Sequence, residues 1–326
     1  MDPIIPSQET ESTPMSATNQ STHQTCEKIL TLYFLTLISA LVGLAGNTVV
    51  LWLLGFSIRR NAISVYVLHL AVADFLFLCC RCIDSLIQVV NFYEFNIYTY
   101  GILSNGAIIP YISGLSILSA ISIERCLSIL WPIWYHCHRP RNMSAIICAV
   151  IWALALAMSI LDWHYSGFLA WAYYDSESWK KVDLIITAFL IFLFMVLSGS
   201  SLILLVRILC SSRQIPLTRL YVTISLTVVV FLICGLPLGI YWFLLYWLQI
   251  HQYYPFCHLY QVTVFLSCIN SCANPIIYFF VGSFRQQKRQ TLKMVLQRAL
   301  QDTPEEYRWR DSQPQETIEM SQSKIG

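Results

Sequence analysis

The stretch Asn274-Pro275-Ile276-Ile277-Tyr278 stands near the end of the last of seven long apolar runs, and Glu124-Arg125-Cys126 closes the third. A Pro and an Asn deep in an apolar helix release backbone groups that lipid cannot satisfy. Such a segment persists only where neighbouring helices or water re-satisfy those groups. Together the two stretches read as a switch inside a helix bundle.

Working outward, the runs occupy Ile29 to Ile58, Ala62 to Val90, Tyr100 to Ile123, Ser144 to Leu161, Leu184 to Val206, Leu220 to Ile250 and Phe256 to Phe284. Each is free or nearly free of charge and long enough to cross a hydrocarbon layer of about 30 Å. The chain is 56% hydrophobic and 12% charged, with mean hydropathy +0.59, whereas a soluble domain averages about 25% charged residues. Core helices of a soluble protein alternate polar and apolar faces, and these runs do not. The fold class is therefore an all-α bundle of seven transmembrane helices.

Basic residues set the orientation. Arg59, Arg60, Arg139, Arg141, Arg207, Arg213 and Arg219 fall in the first, third and fifth loops, and Arg285, Lys288, Arg289, Lys293 and Arg298 follow the last span. The opposite side carries Lys28, Lys180 and Lys181. The positive-inside bias puts the N-terminus outside and the C-terminus in the cytoplasm. The net charge of +2 is this asymmetry, with no footprint for nucleic acid.

Four regions result: an extracellular tail (1–28), a seven-transmembrane domain (29–284), a short amphipathic juxtamembrane helix (285–300) and a disordered cytoplasmic tail (301–326). The tail 1–28 lacks the basic region and short apolar core of a cleavable signal, so span one acts as its own signal. Asn19-Gln20-Ser21 is a glycosylation acceptor on the outer side, while Asn142-Met143-Ser144 matches the pattern on the cytoplasmic side. Only Asn19 is expected to carry sugar. The interleaved Leu292, Val295 and Leu296 among Arg, Lys and Gln suit a helix lying on inner-leaflet lipid.

The pairing of the two opening motifs resembles the rhodopsin-like G-protein-coupled receptors from about Ile29 to about Leu300. Local departures narrow the resemblance. Cys234-Gly235-Leu236-Pro237 stands where such receptors usually carry Cys-Trp-x-Pro, span five holds no Pro, and Glu-Arg-Cys replaces Asp-Arg-Tyr. These departures look like the Mas-related receptors, as do Val50-Leu51-Trp52-Leu53-Leu54-Gly55, Trp131-Pro132-Ile133-Trp134-Tyr135 and Tyr278-Phe279-Phe280-Val281-Gly282-Ser283-Phe284-Arg285. The X and B types are the most similar branch.

The resemblance implies roles. Arg125 couples to the heterotrimeric G protein and pairs at rest with Glu124, while Asn274, Pro275, Tyr278, Pro237 and Gly235 form the switch. Gly235 lacks the indole that usually senses ligand, so activation runs through packing around Pro237. The relatives often have an acid at the inner end of span six, but no Asp or Glu occurs between Asp183 and Asp302; that half of the resting lock is missing and raised basal signalling is expected. Asp74, costing about 2.5–3.5 kcal/mol to insert near mid-membrane, faces Asn47 and the Asn274 region through water, with Asn270 and Ser271 nearby. Gly114 stands where many relatives supply a sodium-ligating hydroxyl, which puts sodium near Asp74 in doubt; a purely structural polar cluster is the competing reading. No cofactor is expected.

At the outer side, Asp162 ends span four and Asp183 begins span five, at acidic positions that similar receptors use against cationic peptides and amines; as simple water-facing terminators they would need no ligand. Phe168 and Trp242 match pocket positions. Arg81 and Asp84 lie one helical turn apart, where mutual neutralisation competes with a ligand role. Of twelve Cys, only Cys26 and Cys257 face outward, before spans one and seven, neighbours in this fold; they form a bridge or stay as two thiols. The bridge from span three to the second outer loop is excluded, and Ser166 and Lys180 replace the partners of the outer bridge common in Mas-related receptors.

The implied function is a plasma-membrane receptor that senses a cationic peptide or amine and activates Gq or Gi, in nociception, itch or mast-cell activation, with arrestin as a further partner. Alternatives are an orphan receptor with mainly basal signalling and a receptor for a neutral or acidic small molecule. A transporter would show internal repeats and broken half-helices, and a channel a ring of polar residues along one span. An enzyme is disfavoured because the His residues lack metal-ligand spacing such as HExxH and no Ser or Cys sits in a nucleophile elbow.

Overall fold

In the computed structural model the described residues are 17–57, 61–90, 102–103, 106–140, 142–165, 176–210, 219–241, 256–283 and 292–299. Among them every regular element is helical. Six helices are long and apolar enough to cross a membrane, at Leu30–Phe56, Ala62–Val90, Ile108–Ser128, Met143–Tyr165, Glu177–Ile203 and Leu259–Phe279, and Ser225–Tyr241 adds a shorter apolar helix in the sixth place. These are spans one to seven. Pro132–Cys137 forms a short helix in the loop after span three, and Leu292–Ala299 a short helix after span seven.

The helix of span one starts at Ala17, well before the apolar run begins. Residues 17–28 contain no Gly or Pro, and extending a nucleated helix costs little compared with starting one. The side chains of Asn19 and Cys26, like that of Cys257, lie outside the described residues, as do Phe168, Trp242 and the tail 301–326.

Spans two and three carry the centre of the bundle. Tyr66, Leu70, Ile112, Ile117 and Leu118 are buried there, joined by Ile186 and Leu197 of span five and Phe231 of span six. Spans four and five instead turn many apolar residues outward, among them Ile146, Leu154, Ile185, Phe192 and Met195. With lipid as the solvent, such outward Leu, Ile and Phe carry no penalty.

Both prolines of the switch show how the bundle re-satisfies a broken ladder. Pro275 lies inside the helix of span seven and has no N–H, so the carbonyl four residues earlier, at Ser271, lacks its ordinary donor. The side-chain amide of Asn47 on span one donates to that carbonyl at 3.1 Å, and to its own Gly43 carbonyl at 3.0 Å. Gly46 makes the approach of spans one and seven possible, since a Cβ there would sit 3.1 Å from Pro275. In span six the turn before Pro237 widens into a π-helix, Phe231–Gly235, with the Leu236 amide donating to the Phe231 carbonyl. Single π turns inside helices concentrate at functional positions.

Candidate functional site

At the cytoplasmic end of span three, Arg125 is 1% exposed, so the bundle is closed over the guanidinium. Glu124 carries a partner that its sequence neighbour does not suggest. Arg139, in the loop after the short helix Pro132–Cys137, donates from Nε to Oε2 at 3.0 Å and from Nη2 to Oε1 at 2.8 Å. Tyr66 of span two donates its hydroxyl to Oε1 at 3.0 Å. Arg139 Nη2 also reaches the Ser144 hydroxyl at 2.6 Å, and its guanidinium lies 5.4 Å from the Tyr135 ring centre. Burial would lower the Arg139 pKa, but the Glu124 carboxylate outweighs it and holds the guanidinium charged. Burial also pushes the Tyr135 phenol up to about 12. A two-pronged Arg–carboxylate pair is among the strong, orienting ion contacts. The resting clamp on Glu124 therefore includes the loop and the ends of spans two and four, and Arg139, Tyr66 and Ser144 join the expected Glu124 and Arg125.

This pair has a measurable consequence. Its side chains are 8% and 4% exposed, and removing one partner of a buried ion pair strands the other at a cost of about 3–5 kcal/mol. Arg139→Ala is expected to lower the melting temperature of the purified receptor by several degrees and to raise its ligand-independent G-protein activation, with Arg139→Lys in between. A thermal-unfolding scan beside a basal-signalling assay at matched surface density checks both.

Deeper in the membrane, Asn274 donates its side-chain amide to Asp74 Oδ2 at 2.7 Å. This contact is direct, where the resemblance implied one through water. Ser271 lies against the same carboxylate, while Asn47 turns to the Ser271 backbone. A cavity of about 20 Å³ adjoins Asp74, lined in part by Gly114, Ser267, Asn270 and Ser271. It has room for about one water. The Ser267 hydroxyl and the side-chain carbonyls of Asn270 and Asn274 are buried without a protein partner. Tyr278, one turn below Asn274, is buried in the same core.

At the outer rim the structure links spans four and five through a side chain that sequence reading missed. Trp179 donates its indole N–H to Asp162 Oδ1 at 3.1 Å. Asp183 follows Trp179 by four residues on one helix, so both project from the same face, the face on which Trp179 meets span four. Both carboxylate-bearing residues are half-buried, whereas Lys180 and Lys181 are exposed. Arg81 and Asp84 pair at 3.8 Å in span two, as their spacing suggested. Arg81 also donates to the Tyr260 hydroxyl at 3.3 Å and lies over the Phe77 ring at 5.5 Å.

Seven apolar helices, a proline inside the seventh span and a buried Glu-Arg at the cytoplasmic end of the third define a receptor of the rhodopsin class. Residues 46–278 match the 7 transmembrane receptor (rhodopsin family) profile. The chain is 65% identical over 99% of its length to the whole of the Mas-related G-protein coupled receptor member X1 of Mus musculus. It is 54% identical over its full length to 99% of member X1 of Homo sapiens, and 53% identical over its full length to the whole of member X2 of Macaca mulatta. The chain belongs to the rhodopsin family of seven-transmembrane receptors and, within it, to the Mas-related G-protein-coupled receptors. It is thus a multi-pass membrane protein of a receptor class, not of an enzyme class, with a G protein and an extracellular ligand as the partners that class implies.

Proposed function

We propose that this receptor binds a cationic peptide or amine in the outer cleft between spans four and five and passes the signal to Gq or Gi. Asp162 and Asp183 supply the negative charge, with Phe168 and Trp242 as aromatic walls. The observation that carries this reading is the Trp179 to Asp162 hydrogen bond. It fastens the start of span five to the top of span four, and Asp183, one turn further along the same helix, shares the helix face of Trp179. Two half-buried carboxylates on one cleft attract a basic group and hold it where water screens poorly. The hydrogen bond also does part of the work of the outer disulfide that Ser166 and Lys180 preclude. In this reading the receptor sits in the plasma membrane with its N-terminus outside and Asn19 glycosylated, and serves nociception, itch or mast-cell activation; arrestin is its second cytoplasmic partner.

The test is a second-messenger screen on cells carrying this chain against empty cells, using basic peptides and amines beside neutral and acidic compounds of matched size. Responses are expected from the basic set. Activation confined to neutral or acidic compounds would sink the cationic reading and favour a lipid-like or acidic ligand. The alternative of a receptor working mainly by basal activity loses ground to the Arg139 clamp on Glu124, which supplies a restraint that span six lacks.

A further inference from the structure

Span six has two glycines four residues apart, Gly235 and Gly239, with Pro237 between them. Four-residue spacing puts both on one helix face, and neither covers its backbone with a side chain. Tyr111 of span three fills that bare face. Its hydroxyl donates to the Gly235 carbonyl at 3.0 Å. The same oxygen lies against Gly239. The phenol is thus a donor from span three to the Gly235 carbonyl, at the end of the π turn Phe231–Gly235 and two residues before Pro237.

The surroundings show that both glycines serve this arrangement. A Cβ at Gly239 would lie 3.3 Å from the Tyr111 oxygen, closer than side chains ordinarily pack, and a Cβ at Gly235 would fall 2.5 and 2.7 Å from two carbons of the Phe231 ring. Phe231 occupies the space beside Gly235, and with Tyr111 it lines the small cavity that reaches Asp74. On its outer side Tyr111 touches Phe77, with ring centres 6.1 Å apart, and Phe77 lies beneath the Arg81 guanidinium. A continuous chain of contacts runs from the outer half of span two, through one phenol, to the π turn of span six.

We propose that the Tyr111 hydroxyl is the joint between the outer half of span two and span six: its bond to the Gly235 carbonyl holds the closed arrangement, and activation breaks it. Tyr111 is here a positioning residue, doing through the backbone what an aromatic side chain at position 235 would do by bulk. Since Arg125 is buried, the arrangement with the bond made is the closed one, so losing the bond favours opening.

The experiment measures ligand-independent activation of a panel of G-protein heterotrimers at matched surface density, for the native chain, Tyr111→Phe, Gly239→Ala and the double variant. Tyr111→Phe deletes one oxygen and keeps the ring. A hydrogen bond's net worth corresponds to a shift of about two- to twelve-fold in the closed-to-open ratio, so basal activation is expected to rise by that factor while output remains far from saturation. Gly239→Ala should raise it in the same direction by pushing the hydroxyl away. That direction is informative, because Ala in place of helical Gly otherwise firms a helix. The double variant should go no higher than Tyr111→Phe alone, since residues acting as one unit are not additive. Basal activation of Tyr111→Phe equal to or below the native level overturns the proposal, as does a double variant whose effect is the product of the two single effects.

Discussion

Arg125→Ala is expected to abolish agonist-driven G-protein activation while the receptor still reaches the surface and binds its ligand. The guanidinium is buried at the closed cytoplasmic end, and the loop held by Arg139 flanks it through Glu124. On the coupling role proposed for it, Arg125 meets the G protein once spans three, six and seven part, as the cationic donor at the floor of the opened cavity, and an Ala there would offer the partner no hydrogen bond. Agonist affinity measured without G protein should be unchanged, because Arg125 is remote from the outer rim. Thermal stability separates coupling from folding: the variant loses a large buried side chain, and a collapse of the fold would appear as loss of surface receptor. Normal signalling by Arg125→Ala at equal surface density would show that the coupling role lies elsewhere.

The contrast with Arg139→Ala makes the assignment sharper. Both variants remove one guanidinium from the same end of the bundle, yet one is expected to silence the receptor and the other to raise its resting output. Arg139 grips Glu124 in the closed arrangement, and the proposed role of Arg125 belongs to the open one. If both variants lowered output alike, general damage to the cytoplasmic end would explain them.

The membrane explains why so much of the fold was legible in the sequence. Lipid demands long uncharged runs, so composition alone set the spans. The helical start at Ala17 was missed because polar residues 17–28 carry no apolar signal, although they hold no helix breaker either. The role of Asn47 was half visible. Pro275 announces a carbonyl without a donor, but which neighbouring helix supplies the amide depends on packing, and Gly46 is the one local hint that span one comes close.

Site residues that act across the fold were harder to see. Glu124 was read with its neighbour Arg125, and the structure adds Arg139, beyond a helical loop, as a partner of the same carboxylate. Nothing in spacing connects those two positions. Trp179 is one of ten Trp, and only the structure singles it out by its bond to Asp162. Tyr111 was equally silent, although Gly235 and Gly239 flanking Pro237 offered a clue: a glycine face beside a proline needs a partner from outside. Residues bearing charge or breaking helices could be found in the sequence, whereas neutral donors that satisfy them at a distance could not.

Replacing Asp162 or Asp183 by Asn is expected to reduce the potency of a basic agonist about ten- to a hundred-fold, and replacing both should remove most of the response. A charge-assisted hydrogen bond is worth about 1.5–3 kcal/mol, which is that range of affinity. The Asn variant keeps the geometry at position 162, because its side-chain carbonyl still accepts the Trp179 indole N–H; the loss then reports charge alone. Trp179→Phe is the complementary probe, since it keeps both carboxylates but unfastens span five from span four. Its expected signature is a smaller potency loss for basic agonists, together with a drop in melting temperature. Raising salt should weaken binding to the native receptor more than to the double variant, because the long-range part of the attraction is screened within about 10 Å at 0.1 M ionic strength. If Asp162→Asn and Asp183→Asn leave every basic agonist as potent as before at equal surface density, the carboxylates only terminate their helices, and the Trp179 bond is a strap with no share in recognition.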